Sequence, residues 1–177
     1  LEGSDIWLLE MTFPSDARLD YKIVVDGETW IIDAANRNVQ WSGHGENSAL
    51  IMPDYQRDPM TFSDEREPQG TLTSHLLEST ALEYTVHYDV YTPKDATGTL
   101  PTLYTTDGQE YSNLRLGALL NVLDNLLVAG RIPPIRLVLV DPRDPDNIHH
   151  NRRRDEYIAN DAYMNFFVNE LVPAVEA

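Results

Sequence analysis

Two polar segments of this 177-residue chain carry residue types suited to binding or catalysis, and each follows a strand-like run. Asp107-Gly108-Gln109 comes directly after Leu100-Pro101-Thr102-Leu103-Tyr104-Thr105-Thr106. Asp141-Pro142-Arg143 comes directly after Ile135-Arg136-Leu137-Val138-Leu139-Val140, and its loop continues to Asn151-Arg152-Arg153-Arg154-Asp155-Glu156. In open α/β sheets, ligands bind outside the carboxyl ends of the strands, so parallel strands here would bring both loops to one edge. By residue type alone, Asp107-Gly108-Gln109 is a turn that ends a strand. Arg152 and Arg154 read as a solvated basic patch balanced by Asp155 and Glu156. His149 and His150 are adjacent and therefore diverge, with no third ligand at a metal-binding spacing, so no metal site is expected. Asp141, Asp144 and Asp146 lack the spacing of a calcium loop and read as turn formers. This narrows the site to one sheet edge and names no reaction.

The elements that must position these loops are legible in the patterning. Tyr84, Val86, Tyr88 and Val90 alternate with Thr85, His87 and Asp89, a period of two that predicts a half-buried strand. From Leu114 to Ala129 the apolar positions 116, 119, 120, 123, 126 and 127 trace a helical face, with Asn113 as its expected cap. Gly130 suits the left-handed position after a helix, and Pro133-Pro134 stop it. The run from Ile135 to Val140 is continuous apart from Arg136, as expected of a parallel strand covered on both faces. Strand, helix and strand form a βαβ unit. A further helix is expected over Asp161 to Val172, capped by Asn160 and closed by Pro173.

The first part of the chain has a different character. Short strand-like runs, Ile6 to Met11, Tyr21 to Val25 and Thr29 to Ile32, are separated by turn residues, and Asp26-Gly27 is a strong hairpin signal. This zone reads as a small antiparallel sandwich. Trp7, Trp30 and Trp41 read as its buried aromatic core in preference to a sugar-stacking platform. The expected organisation is residues 1–57 as the sandwich, 58–72 as a polar, proline-interrupted linker and 73–177 as the opening half of an α/β domain.

Charge restricts the partners. The 29 acidic and 13 basic residues leave a formal charge of −16, a surface that repels phosphate backbones and anionic lipid heads. Nucleic acid and membrane are therefore not expected partners. The chain has no cysteine, which removes disulfides and thiolate metal sites from consideration.

Leu103 to Gln109, Ala129-Gly130-Arg131-Ile132-Pro133-Pro134, Arg153-Arg154-Asp155-Glu156-Tyr157, Asn160, and Phe167-Val168-Asn169-Glu170-Leu171-Val172-Pro173 stand in that order along the chain. Together these motifs resemble α/β-hydrolase-superfamily esterases of the enterochelin esterase type. Ser4-Asp5-Ile6-Trp7, Phe13 to Arg18, Tyr21, Ile32 to Asn36 and Asn47 to Pro53 are similar to that family's N-terminal immunoglobulin-like domain. The resemblance implies an immunoglobulin-like sandwich followed by the first half of an α/β-hydrolase fold. It also implies hydrolysis of a small-molecule carboxylic ester, with a catechol-siderophore ester leading, through a Ser-His-acid triad that needs no cofactor. The Gln109 backbone N–H becomes a candidate oxyanion donor, with Asp107 and Gly108 beside the substrate. Arg153 would orient an acidic or polar substrate, or else form an ion pair with Glu156.

The family's nucleophile sits in Gly-x-Ser-x-Gly, which these residues do not contain. Ser42-Gly43-His44-Gly45 lacks the first glycine and lies in the sandwich zone. The elbow is expected beyond Ala177, with the acid and histidine later still. The rival expectation is a carbohydrate- or partner-binding protein whose hydrolase-like domain is inert.

Overall fold

The computed structural model describes residues 3–4, 8–61 and 69–177. The chain divides into two compact units, Leu1–Asp58 and Pro59–Ala177.

The first unit holds β1 (Arg18–Tyr21), β2 (Ile23–Val25), β3 (Thr29–Ile31), β4 (Val39–Ser42) and β5 (Gly45–Ile51). β5 is the centre of an antiparallel sheet of order β1-β5-β4, while β2 and β3 pair as a separate hairpin. Asp26 and Gly27 both take positive φ (53° and 77°), and the Glu28 N–H closes on the Val25 carbonyl at 3.1 Å. Positive φ at both central positions matches the right-handed strand twist, which is why Asp-Gly marks this hairpin so clearly. The buried Ser48 Oγ accepts from the Asp33 N–H at 2.8 Å. The Tyr21 hydroxyl donates to the Asp33 carboxylate at 2.7 Å and holds it below the usual range. Ser42 closes the β4–β5 turn, its hydroxyl donating to the Gly45 carbonyl at 2.8 Å.

Three expectations for this unit change. Of the strand expected over Ile6 to Met11, Ile6 and Trp7 lie outside the described residues. Leu8 to Met11 take no strand conformation, and Leu8, Leu9 and Met11 stand exposed. The run from Tyr21 to Val25 breaks at Lys22, because Tyr21 pairs with β5 and Ile23 pairs with β3. Trp30 and Trp41 are exposed and form no buried core. β3 pairs only with β2 among the described residues, and Trp30 on it is 67% exposed. Trp7 lies outside them.

The second unit begins with a 3-10 turn at Pro59–Thr61. β6 (Thr71–Ser79), β7 (Tyr84–Thr92) and β8 (Thr102–Thr105) follow, then α1 (Gly108–Tyr111), α2 (Leu119–Val128) and β9 (Arg136–Asp141). After these come β10 (Arg143–Asp144), β11 (Asn147–Asn151), α3 (Arg153–Tyr157), α4 (Asp161–Phe166) and α5 (Val172–Glu176). The sheet order is β6-β7-β9-β8, in which β8 and β9 are parallel and the other pairs antiparallel. Of the stretch read as a linker, residues 62–68 lie outside the described residues, and β6 begins within it at Thr71.

β9 is buried on both faces, as its apolar run predicts. Val138 and Val140 pack with Val86, Tyr88, Tyr163, Phe166 and Leu171 under α4 and its continuation. Leu137 and Leu139 pack with Tyr91, Leu120 and Leu123 under α2. Burying each such side chain contributes about 1.5–3 kcal/mol. Arg136, the one charge in the run, sends its guanidinium to the Val175 carbonyl at 2.9 Å and satisfies an end of α5. Glu170 accepts from the Ser79 hydroxyl at 2.5 Å and from the Ala81 N–H at 3.0 Å, tying the β6–β7 turn to the last helical segment.

Helix ends differ from expectation in two places. α2 starts at Leu119 and not at Leu114. Asn113 organises a turn instead, its side chain accepting from the Arg115 N–H and its carbonyl from Leu116 and Ala118. Ala118 at φ 46° then separates that turn from the helix. The other end is as expected: the Gly130 N–H bonds to Leu127 and the Arg131 N–H to Leu126, a Schellman close with Gly130 at φ 64°. Asn160 caps α4 by accepting from the Tyr163 N–H at 3.0 Å. Pro173 does not close this helix. A π turn over Phe167–Leu171 precedes it, and the chain continues helically as α5 with the proline in its first turn, where no N–H is required.

Candidate functional site

Because β8 and β9 are parallel, with Thr105 opposite Leu139, their carboxyl ends open on the same edge of the sheet. Asp107 follows β8 in the left-handed region (φ 53°, ψ 38°) and starts α1. Its carbonyl accepts the N–H groups of Glu110 and Tyr111, at 2.8 and 3.2 Å. Gly108 is buried against β9, and a Cβ there would lie 2.5 Å from the Leu139 carbonyl carbon. The glycine is required by this close approach of α1 to the strand. Among the described residues, nothing accepts from the Gln109 N–H, as is usual for the first turn of a helix. The Gln109 side-chain oxygen is buried without a partner, as is Oδ1 of Asp107.

α3 closes this edge from the other loop. The Arg153 guanidinium reaches Oδ2 of Asp107 at 3.1 Å, with the arginine side chain 43% exposed and the carboxylate 14%. The alternative pairing with Glu156 is not formed. Glu156 is buried, accepting from the Tyr84 hydroxyl at 2.8 Å through Oε1, while Oε2 has no partner. The Tyr157 hydroxyl accepts from the Asp107 N–H at 3.0 Å. Burial raises the Tyr157 pKa, so the hydroxyl stays neutral.

Arg152 is not the solvated charge expected from the sequence. It pairs with Asp144 at 2.7 Å, its side chain is 12% exposed, and its guanidinium lies 4.1 Å from the Tyr84 ring centroid. Arg154 is exposed, as its reading requires. Asp141 accepts from the Arg143 N–H at 2.9 Å and takes its guanidinium at 2.6 Å, and Asp144 accepts from the Asp146 N–H at 3.0 Å. Both act as turn formers. His87 lies 3.3 Å from Asp89 and 3.8 Å from Asp141, partners the sequence does not reveal. No group of three His, Cys, Asp or Glu among the described residues is arranged to hold a metal, and no helix is long and apolar enough to cross a membrane.

Burial, ahead of the opposing Tyr84 and Arg152 contacts, pushes the Glu156 carboxyl up to about 6 from an ordinary 4.5. The folded protein therefore favours the protonated acid. The stability this contributes is full below pH 4.5 and is lost as pH rises through about 6. Glu156→Gln keeps an acceptor for Tyr84 and does not ionise. From about pH 4.5 to 7.5, wild type is expected to lose about 2 kcal/mol relative to this variant. Urea unfolding of the full-length proteins at the two pH values measures the difference.

Solved structures share this fold. The chain is similar to the ferric enterobactin esterase of Salmonella typhimurium, at 21% identity and a TM-score of 0.70, over 99% of this chain and 50% of that one. It is also similar to the enterobactin esterase of Shigella flexneri solved in the presence of enterobactin, at 21% identity and 0.66, over 91% and 46%. A ferulic acid esterase of Anaeromyces mucronatus, in complex with ferulic acid, matches at 21% identity and 0.52, over 68% and 47%. The chain spans about half the length of these structures. A comparison with curated proteins finds no match. Residues 79–177 match the family described as "Putative esterase", and the chain belongs to that family.

Proposed function

We propose that the full-length protein is a carboxylic ester hydrolase that works through a serine nucleophile, a histidine and an acid supplied by residues beyond Ala177. The serine oxygen adds to the ester carbonyl and the histidine takes its proton. Collapse of the tetrahedral intermediate releases the alcohol and leaves an acyl-enzyme, which water hydrolyses to the acid. The Gln109 N–H serves as one donor to the developing oxyanion. Gly108 brings that donor to the sheet edge, and Arg153 and Asp107 line the crevice where the substrate enters. The observation that carries this reading is the unbonded Gln109 N–H at the carboxyl edge of a family-matched sheet.

The substrate is read as a catechol-siderophore ester and the first unit as an immunoglobulin-like module. Support comes from the reach of the likeness. The enterobactin and enterochelin esterase structures match over 82–99% of the chain, whereas the ferulic acid esterase matches over 68%. Full-length protein should hydrolyse enterobactin with a kcat/KM at least about tenfold above that for methyl ferulate, within the range a shaped pocket supplies. Equal values would remove the siderophore assignment. Hydrolysis of neither ester, nor of p-nitrophenyl acetate, would remove the esterase.

A further inference from the structure

Arg153, Glu156 and Tyr157 stand at i, i+3 and i+4 on α3 and so leave the helix on one face. Each finds a partner on another element. Glu156 meets Tyr84 of β7, and the other two meet Asp107, Arg153 at the carboxylate and Tyr157 at the N–H. Asp107 sits in the left-handed region (φ 53°), which aspartate enters more readily than most residues with a Cβ, and α3 holds it there. Its peptide orientation sets where the next N–H groups point, those of Gly108 and Gln109.

We propose that Tyr157 is a positioning residue for the Gln109 donor: its hydroxyl grips the Asp107 N–H and fixes the turn that aims the Gln109 N–H, while Glu156 anchors α3 to β7. The proposal rests on the oxyanion role of Gln109. The bond runs across 50 residues of sequence, so the two strand-end loops depend on each other for their geometry. Arg153 is left half-exposed by this arrangement, because Tyr157 holds the backbone of Asp107 while the arginine takes only its carboxylate.

Tyr157→Phe in the full-length protein keeps the ring and removes the acceptor. With p-nitrophenyl acetate, kcat should fall about tenfold while KM stays within about twofold, since the lost geometry matters only as the oxyanion forms. The melting temperature should stay within about 4 °C. The Gln109 amide resonance of protein labelled with ¹⁵N-glutamine should move, and Glu156→Ala, which frees the helix anchor, should move it as well. An unmoved amide in Tyr157→Phe, or an unchanged kcat in active enzyme, overturns the proposal. If wild type hydrolyses no ester, the functional reading fails by itself. The amide then decides the clamp: a shift upholds it and superposition on wild type overturns it.

Discussion

Gln109→Pro in the full-length protein is expected to lower kcat for an ester substrate by about 10²–10³, the loss typical of one oxyanion donor. Gln109→Ala should stay within a few-fold, because the side chain is not the donor. The local structure favours a clean result. Gln109 is the second residue of α1, and the first turn of a helix tolerates proline since its N–H groups have no intrahelical partner. Proline crowds both the backbone N–H and the Cβ of the residue before it, and Gly108, which has no Cβ, relieves only the second of these contacts. Steady-state kinetics on both variants measure the contrast. An equal loss in the two would assign Gln109 a side-chain role and leave the oxyanion without this donor.

Gly108→Ala is expected to destabilise the full-length protein by about 3 kcal/mol, the upper part of the usual range for overpacking. The added Cβ would sit 2.5 Å from the carbonyl carbon of Leu139 and 2.8 Å from its Cβ. Leu139 is in the middle of β9 and buried on a face that α2 covers, so it has little room to yield. α1 must move away from the sheet, and the Gln109 N–H moves with it. Activity should therefore fall along with stability. Urea unfolding combined with ester turnover tests this, and wild-type stability in the variant would show that α1 does not press on β9.

Elements whose signals are local were readable before the structure. Asp26-Gly27, the apolar run of β9, the alternation of β7, Gly130 and the Asn160 cap each depend on a few neighbouring residues. What escaped depends on partners far along the chain or on conformations with no residue signature. Nothing in the sequence marks Ala118 as left-handed, so the pattern predicts α2 from Leu114 with Asn113 as its cap. A π turn carries the chain through Pro173, which the usual rule treats as a stop. β6 is an edge strand exposed along most of its length, and without a buried face its residues do not alternate.

The site divides in the same way. Asp107, Gly108, Gln109 and Arg153 came from motifs, and the structure places Arg153 against Asp107. Tyr84 and Tyr157 had no stated role. Tyr84 was visible only as a strand position and Tyr157 only as the last residue of a motif. Their importance lies in contacts 72 and 50 residues distant, with Glu156 and Asp107. Arg152 illustrates the converse, because its burial against Asp144 and Tyr84 cannot be inferred from three consecutive arginines.

In the proposed reaction the Gln109 N–H meets the reacting carbonyl oxygen of a serine-bound ester. A crystal structure of the full-length protein after reaction with a p-nitrophenyl alkylphosphonate tests it most directly. The serine oxygen displaces p-nitrophenolate, and the phosphonyl oxygen then occupies the place of the tetrahedral oxyanion. That oxygen is expected about 2.7–3.1 Å from the Gln109 nitrogen, with the Tyr157–Asp107 bond intact. A covalent adduct whose phosphonyl oxygen is held by other donors, more than about 4 Å from Gln109, would take the oxyanion role away from this N–H.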